Sequence, residues 1–401
     1  MHKIERLLQT LAPKGVEFRK LGEVLEYDQP NKYCVTSKEF DKSYPTPVLT
    51  AGKTFILGYT NEKDNIYQAS KSSPVIIFDD FTTATQWVDF PFKVKSSAMK
   101  ILLPKNPIIN IRFIFFYMQT IPYNIGGEHA RHWISRYSQL EVPIPPLEIQ
   151  QEIVTILDAF TELNTELNTE LKARKKQYQY YQNMLLDFND INQNHKDAKM
   201  SVKPYPKRLK TLLQTLAPKG VEFRKLGEVC DFQKGKSITK KAVTLGKVPV
   251  ISGGRQPAYY HNEANRSGET IAISSSGVYA GYVSYWDIPV FLADSFSVSP
   301  KQKTLMPKYL FYYLTTQQDA IHATKSAGGI PHVYSKDLQN FLIPIPPLEI
   351  QQEIVKILDQ FSALTTDLQA GIPAEIKARK KQYEYYREKL LTFKPLTPQR
   401  S

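Results

Sequence analysis

VPIPPLEIQQEIVTILDAF, at Val142–Phe160, returns almost unchanged as IPIPPLEIQQEIVKILDQF at Ile343–Phe361. Chance does not supply so long an agreement, so the chain is an internal duplication. Each copy opens on a proline pair, Pro145–Pro146 and Pro346–Pro347. Proline suits a helix entrance, because the N–H it lacks would be unpaired there. Glu148 and Glu349 follow in the first turn, where the helix dipole favours a carboxylate. Apolar residues then recur at alternating spacings of four and three: Ile149, Ile153, Ile156, Phe160, Leu163 and Leu167, and in the second copy Ile350, Ile354, Ile357, Phe361, Leu364 and Leu368. That spacing draws a coiled-coil seam. A helix over Leu147–Phe188 would be about 63 Å long. It cannot hide such a stripe alone, but two helices of one chain can hide each other's.

The repeat extends outward in both directions. LLQTLAPKGVEFRKLGEV stands at Leu7–Val24 and again, letter for letter, at Leu212–Val229. KARKKQYQYY at Lys172–Tyr181 returns as KARKKQYEYY at Lys377–Tyr386. Between PIPPLE and KARKK the second copy holds four more residues than the first, about one extra turn. Pro373 falls in this insertion and is expected to kink or break the helix. The first helix carries a tetrapeptide unit at the same place, TELN–TELN–TELK over Thr161–Lys172, a ready means of changing helix length by whole turns.

Inside this frame the regions Arg19–Glu141 and Arg224–Leu342 share only faint echoes, such as PVLTAGKTF with PVISGGRQP and RFIFFYM with KYLFYYL. Pro74–Phe78, Glu269–Ser274 and Tyr279–Trp286 read as strands, and Arg112–Gln119 and Lys308–Thr315 as short helices. The expected organisation is α+β. Two mixed α/β domains, 1–146 and 207–346, are joined by two long helices, 147–188 and 347–394, with a linker at 189–206, a tail at 395–401 and an internal repeat.

Composition narrows the partner. The 401 residues carry a formal charge of +13, with a globular hydrophobic share of 42%. Such an excess of cations points to a polyanion, nucleic acid before a membrane surface. The 24 Tyr and 20 Phe add rings that suit contact with bases, although most belong in a core. Cys34 and Cys230 are too few for a disulfide framework. The first residues lack a signal peptide's apolar stretch, and the apolar run Ile108–Met118 is interrupted by Asn110 and Arg112, so a cytoplasmic location is expected.

No catalytic motif emerges. GKT at Gly52–Thr54 lacks the glycine a phosphate loop requires, because position 47 is proline. No G-x-G-x-x-G follows a strand, and no Asn-Pro-Pro-aromatic or Asp-Pro-Pro-aromatic tetrapeptide is present. Asp79–Asp80 reads as an acidic pair in a turn. His129 and His132 have metal-like spacing without a third ligand and read better as a polar loop touching nucleic acid. Candidate DNA contacts in the first variable region are Lys53, His129, Arg131, His132 and Arg136. In the second they are Lys234, Lys236, Lys240, Lys241, Arg255, Arg266, Tyr279, Tyr282, Lys325, His332 and Tyr334. Lys and Arg position phosphates, and Arg also reads guanine edges. Arg174, Lys175 and Lys176, with Arg379, Lys380 and Lys381, are candidates for docking an acidic partner surface or phosphates.

A duplicated PIPPLEIQQEIV followed each time by a long helix resembles the DNA-specificity subunit of type I restriction-modification systems, over nearly the whole chain. Gly328–Val355 resembles the end of that family's recognition region, Gly126–Gln150 is a looser version, and the tetrapeptide tract is similar to its spacer repeats. The resemblance implies that each variable region is a target-recognition domain reading one half of a split double-stranded DNA target, while the helix pair, antiparallel coiled-coil helices about an internal pseudo-two-fold axis, acts as a ruler. It further implies two methyltransferase subunits on the equivalent frame surfaces, and restriction/translocase subunits beyond them. S-adenosylmethionine, ATP and Mg would belong to those partners and no cofactor to this chain, which would be non-catalytic. The competing readings are a stand-alone DNA-binding or scaffold protein without a methyltransferase, and an enzyme of unrecognised site.

Overall fold

The runs VIIFD (Val75–Asp79) and TIAIS (Thr270–Ser274) are buried at every position. Strands covered on both faces belong inside a sheet and read as near-continuous apolar runs. The computed structural model describes residues 2–51, 54–122, 131–189, 204–326, 329–366 and 371–396, and each run is an inner strand there. The chain divides into two compact units: residues 1–167 with 376–401, and residues 168–375.

In the first unit an antiparallel sheet has the order Leu25–Asp28, Met99–Pro104, Val75–Asp79, Thr85–Val88. A smaller sheet places Thr46–Leu49 between antiparallel Ile56–Thr60 and parallel Lys93–Val94. Glu17–Lys20 pairs with Glu141–Ile144, so the frame segment before the variable region is laced to the one after it. Helix Ile111–Met118 starts at Asn110, whose side chain caps it by accepting from the N–H groups of Arg112 and Phe113. Arg112 lies over the rings of Trp87, at 4.4 Å, and Phe116, at 4.7 Å, and pairs with Asp158 of the first long helix at 2.7 Å.

The second unit repeats this topology strand for strand. Its larger sheet runs Cys230–Lys234, Ser295–Pro300, Thr270–Ser274, Val283–Trp286, and its smaller one Tyr259–His261, Leu245–Ile251, Phe291–Leu292. Glu222–Lys225 pairs with Leu342–Ile345, helix Pro307–Thr316 replaces Ile111–Met118, and Lys308 replaces Arg112 by pairing with Asp359 at 2.8 Å. The variable regions are thus two versions of one fold. One expected strand is shorter than read: of Tyr279–Trp286 only Val283–Trp286 is extended, because Gly277 and Gly281 take φ of +85° and +84° and turn the chain before it.

The first long helix runs Leu147–Leu186, about 60 Å. The second is described as Leu348–Thr366 and Ile372–Leu391. Gly371 is a bend, and Pro373 occupies the first turn of the restarted helix, where it forfeits no hydrogen bond. Within the first unit Phe160 stacks on Tyr386 at 5.5 Å, and within the second Tyr181 stacks on Phe361 at 5.2 Å. Later residues of one helix meet earlier residues of the other, the antiparallel order.

Burial along these helices adds to the expected seam, whose Phe160 and Phe361 stack on the other helix. Ile149 and Ile153 are fully buried with Leu157, as are Ile350 and Ile354 with Leu358. Leu157 and Leu358 lie off the four-three seam, on the face turned toward the recognition domain. Ile156, Phe160, Leu163, Leu167, Ile357 and Phe361 are only partly buried, and Leu364 is 39% exposed. Two helices alone cover a narrower strip than a helix against a domain. Leu368 lies outside the described residues, as does most of the linker expected at 189–206.

Two buried glutamines, one in each copy, tie the frame to its domain. Gln150 accepts the Asn110 N–H at 2.8 Å and donates to the carbonyls of Ile108 and Pro145. Gln351 accepts the Met306 N–H at 2.9 Å and donates to Thr304 and Pro346. Each locks helix entrance to recognition domain. The far end of the chain also belongs to the first unit: the Val16 N–H donates to Lys394, and Leu396 donates back to Val16. Gly15, at φ +108°, is required there, since a Cβ would stand 2.5 Å from the Pro395 carbonyl oxygen. Among the described residues no helix is long and apolar enough to cross a membrane.

Candidate nucleic-acid interface

Strand register brings loops distant in sequence to one end of each large sheet. In the second unit Lys234 stands opposite Phe296 and Ser274 opposite Ser295, so the loop after Lys234 and the turn after Ser274 leave the same end. That turn, 275–282, is tied to two other loops. The Ser274 hydroxyl donates to the Ser252 carbonyl, and a Cβ on Gly253 would stand 2.6 Å from the Ser276 carbonyl oxygen, so only glycine fits that approach. The Gly277 N–H donates to Pro331, and the Val333 N–H to Ser275, at 3.0 and 2.9 Å.

Several predicted contacts meet here. Arg255 is exposed, with its guanidinium 4.9 Å from the Tyr279 ring centre and 5.7 Å from that of Tyr282. Lys325 donates to the Val278 carbonyl, and His332 stacks on Tyr334 at 5.9 Å. Sequence reasoning missed four neighbours. Lys336 lies over Tyr334, and His322 is held below the usual imidazole range by burial and by the nearby cation Lys325. Val278 and Ile330 are 81% and 65% exposed, apolar tips beside the cations. No composition signal marks isolated apolar residues of this kind. Lys234 at the strand end, and Lys236, Lys240 and Lys241 on the segment that follows, are exposed.

Arg266 is not free to contact DNA as expected. Its guanidinium donates to the Ser297 hydroxyl and to the carbonyls of Asn265, Gln233 and Lys234, stapling the edge of the sheet. Burial lowers its pKa.

The corresponding turn in the first unit is built differently. Asp79 closes it by accepting from the N–H groups of Phe81 and Thr82 and from the Thr82 hydroxyl. Asp80 is fully buried; its carboxylate accepts the Trp133 N–H at 2.8 Å and lies 3.7 Å from Lys100. Burial pushes the Lys100 ammonium down, against the pull of Asp80. The acidic pair is therefore a structural clasp. His132 is 3% exposed, so its ring is turned into the unit and not toward a ligand, contrary to its expected DNA contact. Arg131 and Arg136 flank it, exposed. Lys53 and His129 lie outside the described residues.

On the helices Arg174 pairs with Glu170 at 3.5 Å and donates to Gln177, while Arg379 donates to Gln382. Lys175, Lys176, Lys380 and Lys381 remain exposed.

The family model described as type I restriction modification DNA specificity domain matches residues 13–177 and 218–378. The specificity subunit of the type I restriction enzyme EcoR124I/EcoR124II from Escherichia coli is 38% identical over 431 residues, covering 99% of this chain and 98% of that protein. A putative type I restriction enzyme specificity subunit from Haemophilus influenzae is 29% identical over 406 residues, covering 97% and 98%. In fold the chain resembles the crystal structure of a type I restriction-modification S subunit from M. genitalium, with a TM-score of 0.64, 18% identity, and 94% of this chain and 96% of that one covered. Two copies of one recognition fold in a repeated frame, matched by relatives over their full length, place the chain among the specificity subunits of type I restriction-modification systems, their DNA-recognition components.

Proposed function

We propose that each unit's loop cluster reads one half of a bipartite DNA target, with the paired helices setting the unread gap. The observation that carries this reading is the contrast between frame and loops: one topology twice, near-identical helices and helix entrances, and different side chains at the sheet ends. Two modules on a stiff spacer make the second binding event intramolecular, so only targets of one spacing engage both. The repeated frame surfaces, including the exposed lysines at 175, 176, 380 and 381, dock two methyltransferase subunits in equivalent ways. Restriction/translocase subunits assemble on that core. S-adenosylmethionine, ATP and Mg act in those partners, this chain performs no chemistry itself, and the complex works in the cytoplasm. Support comes from the relatives, which are themselves specificity subunits of type I restriction enzymes.

The test is a deletion of Thr161–Asn164, which removes one turn, about 6 Å, equivalent to roughly two base pairs. Methylation mapping of the reconstituted complex should show the gap shortened and both half-sites unchanged. Altered half-sites with an unchanged gap would defeat the ruler.

A further inference from the structure

Three arginines of the second variable region are described, and their surroundings differ. Arg224 is engaged with Glu222 and Glu228, at 3.8 and 3.7 Å. Arg266 spends its donors on carbonyls and a hydroxyl of its own sheet. Arg255 has no hydrogen-bond acceptor and no carboxylate partner among the described residues; its guanidinium lies against the rings of Tyr279 and Tyr282, with His322 also within its field. A guanidinium held against two rings keeps its fork oriented, and loses less freedom on binding, while its donors stay available.

The surroundings decide between phosphate and base. Mobile ammonium groups serve phosphates well, and this end of the sheet already has them in Lys236, Lys240, Lys241 and Lys336. Val278 and Ile330 gain nothing from a phosphate. Both belong to the segments pinned to the Arg255 loop, Val278 next to Tyr279, and Ile330 next to Pro331, whose carbonyl receives the Gly277 N–H. Apolar tips beside an arginine fit the floor of the major groove, where thymine methyl groups lie alongside guanine O6 and N7.

We infer that Arg255 is a specificity-determining residue that reads a guanine edge in one half-site, with Tyr279 and Tyr282 as positioning residues. This rests on the half-site reading proposed above. Removing one bidentate contact relaxes discrimination at a single base pair roughly 10- to 100-fold.

The experiment uses the full chain assembled with its methyltransferase subunits on a random-sequence DNA library, with methylated sites read by sequencing. Arg255→Ala and Arg255→Lys should both make one G·C pair of one half-site degenerate, leaving the other half-site intact as proof of an assembled complex. A motif unchanged in both variants overturns the assignment. So does uniform weakening across all sequences that Arg255→Lys restores, the signature of a phosphate contact. If Arg255→Ala fails to fold, Arg255→Lys, which keeps the stem and the charge, decides alone. A wild-type complex without any bipartite motif removes the half-site reading itself and this inference with it.

Discussion

The parallel strand of the smaller sheet holds Lys93 in the first unit and Phe291 in the second, opposite Val48 and Val250 respectively. Lys93, 1% exposed, pairs with Glu62 at 2.8 Å and donates to the Asp64 carbonyl at 2.8 Å. Phe291, 6% exposed, meets the ring of His261 edge-on at 5.4 Å. One place in one topology is filled by a buried ion pair in one copy and by two rings in the other. The fold requires that the site be full and its polar groups paired, and it is indifferent to how. That indifference lets the two variable regions diverge while their strands stay in register.

The comparison breaks first at Lys93. Lys93→Met strands a carboxylate that is 12% exposed, and the full chain should lose about 3–5 kcal/mol in denaturant unfolding. Adding Glu62→Leu should return part of that, since the charge is gone but the N–H groups of Thr36 and Ser37 lose their acceptor. A harmless Lys93→Met would mean the ion pair is not what fills the site. The frame should behave oppositely. Gln150→Leu and Gln351→Leu each leave an N–H and two carbonyls unpaired, costing about 2–3 kcal/mol, and the two losses should agree within about 0.5 kcal/mol. Unequal losses would show that the frame, too, is solved differently in each copy.

The smallest effect is pH dependence. Burial raises the Glu62 pKa, but the Lys93 ammonium and the donors of Ser37 and Thr36 outweigh it and hold the carboxyl down at about 2, against an ordinary 4.5. A depressed folded pKa means that its stability is fully present above about 4.5 and is lost as pH falls through about 2. The expected loss is on the order of 1–2 kcal/mol. Trp87 and Trp133 report the first unit and Trp286 the second, so acid titration followed by fluorescence should show this component in the first unit, and Glu62→Gln should abolish it.

Much of this architecture was readable because long helices write their own period. The duplicated PIPPLE entrances, the insertion at Pro373, and the helices at Ile111–Met118 and Pro307–Thr316 all followed from spacing and proline. The equivalence of the variable domains was only faintly legible, in the echoes PVLTAGKTF with PVISGGRQP and RFIFFYM with KYLFYYL, because positions such as Lys93 and Phe291 share no property visible in a sequence. Two of the fully buried helix positions, Leu157 and Leu358, were passed over because a four-three count favours the neighbouring isoleucine, and only the adjacent domain makes the other face the wetter one. At the candidate interface, charge alone ranked Arg255, Arg266 and His132 together. Contacts separate them into a free fork, a staple and a buried ring.

The bridge between Val16 and Pro395 has a consequence for biosynthesis. The first unit takes in residues 376–401, so its early strands leave the ribosome long before the segment that completes them. At ~5–20 residues per second, translating the intervening stretch 168–375 imposes a wait of roughly 10–40 s. During that interval Phe113 and Phe160 lack the rings of Phe393 and Tyr386 that pack against them in the finished unit, so that apolar surface stays in water until the last segment arrives.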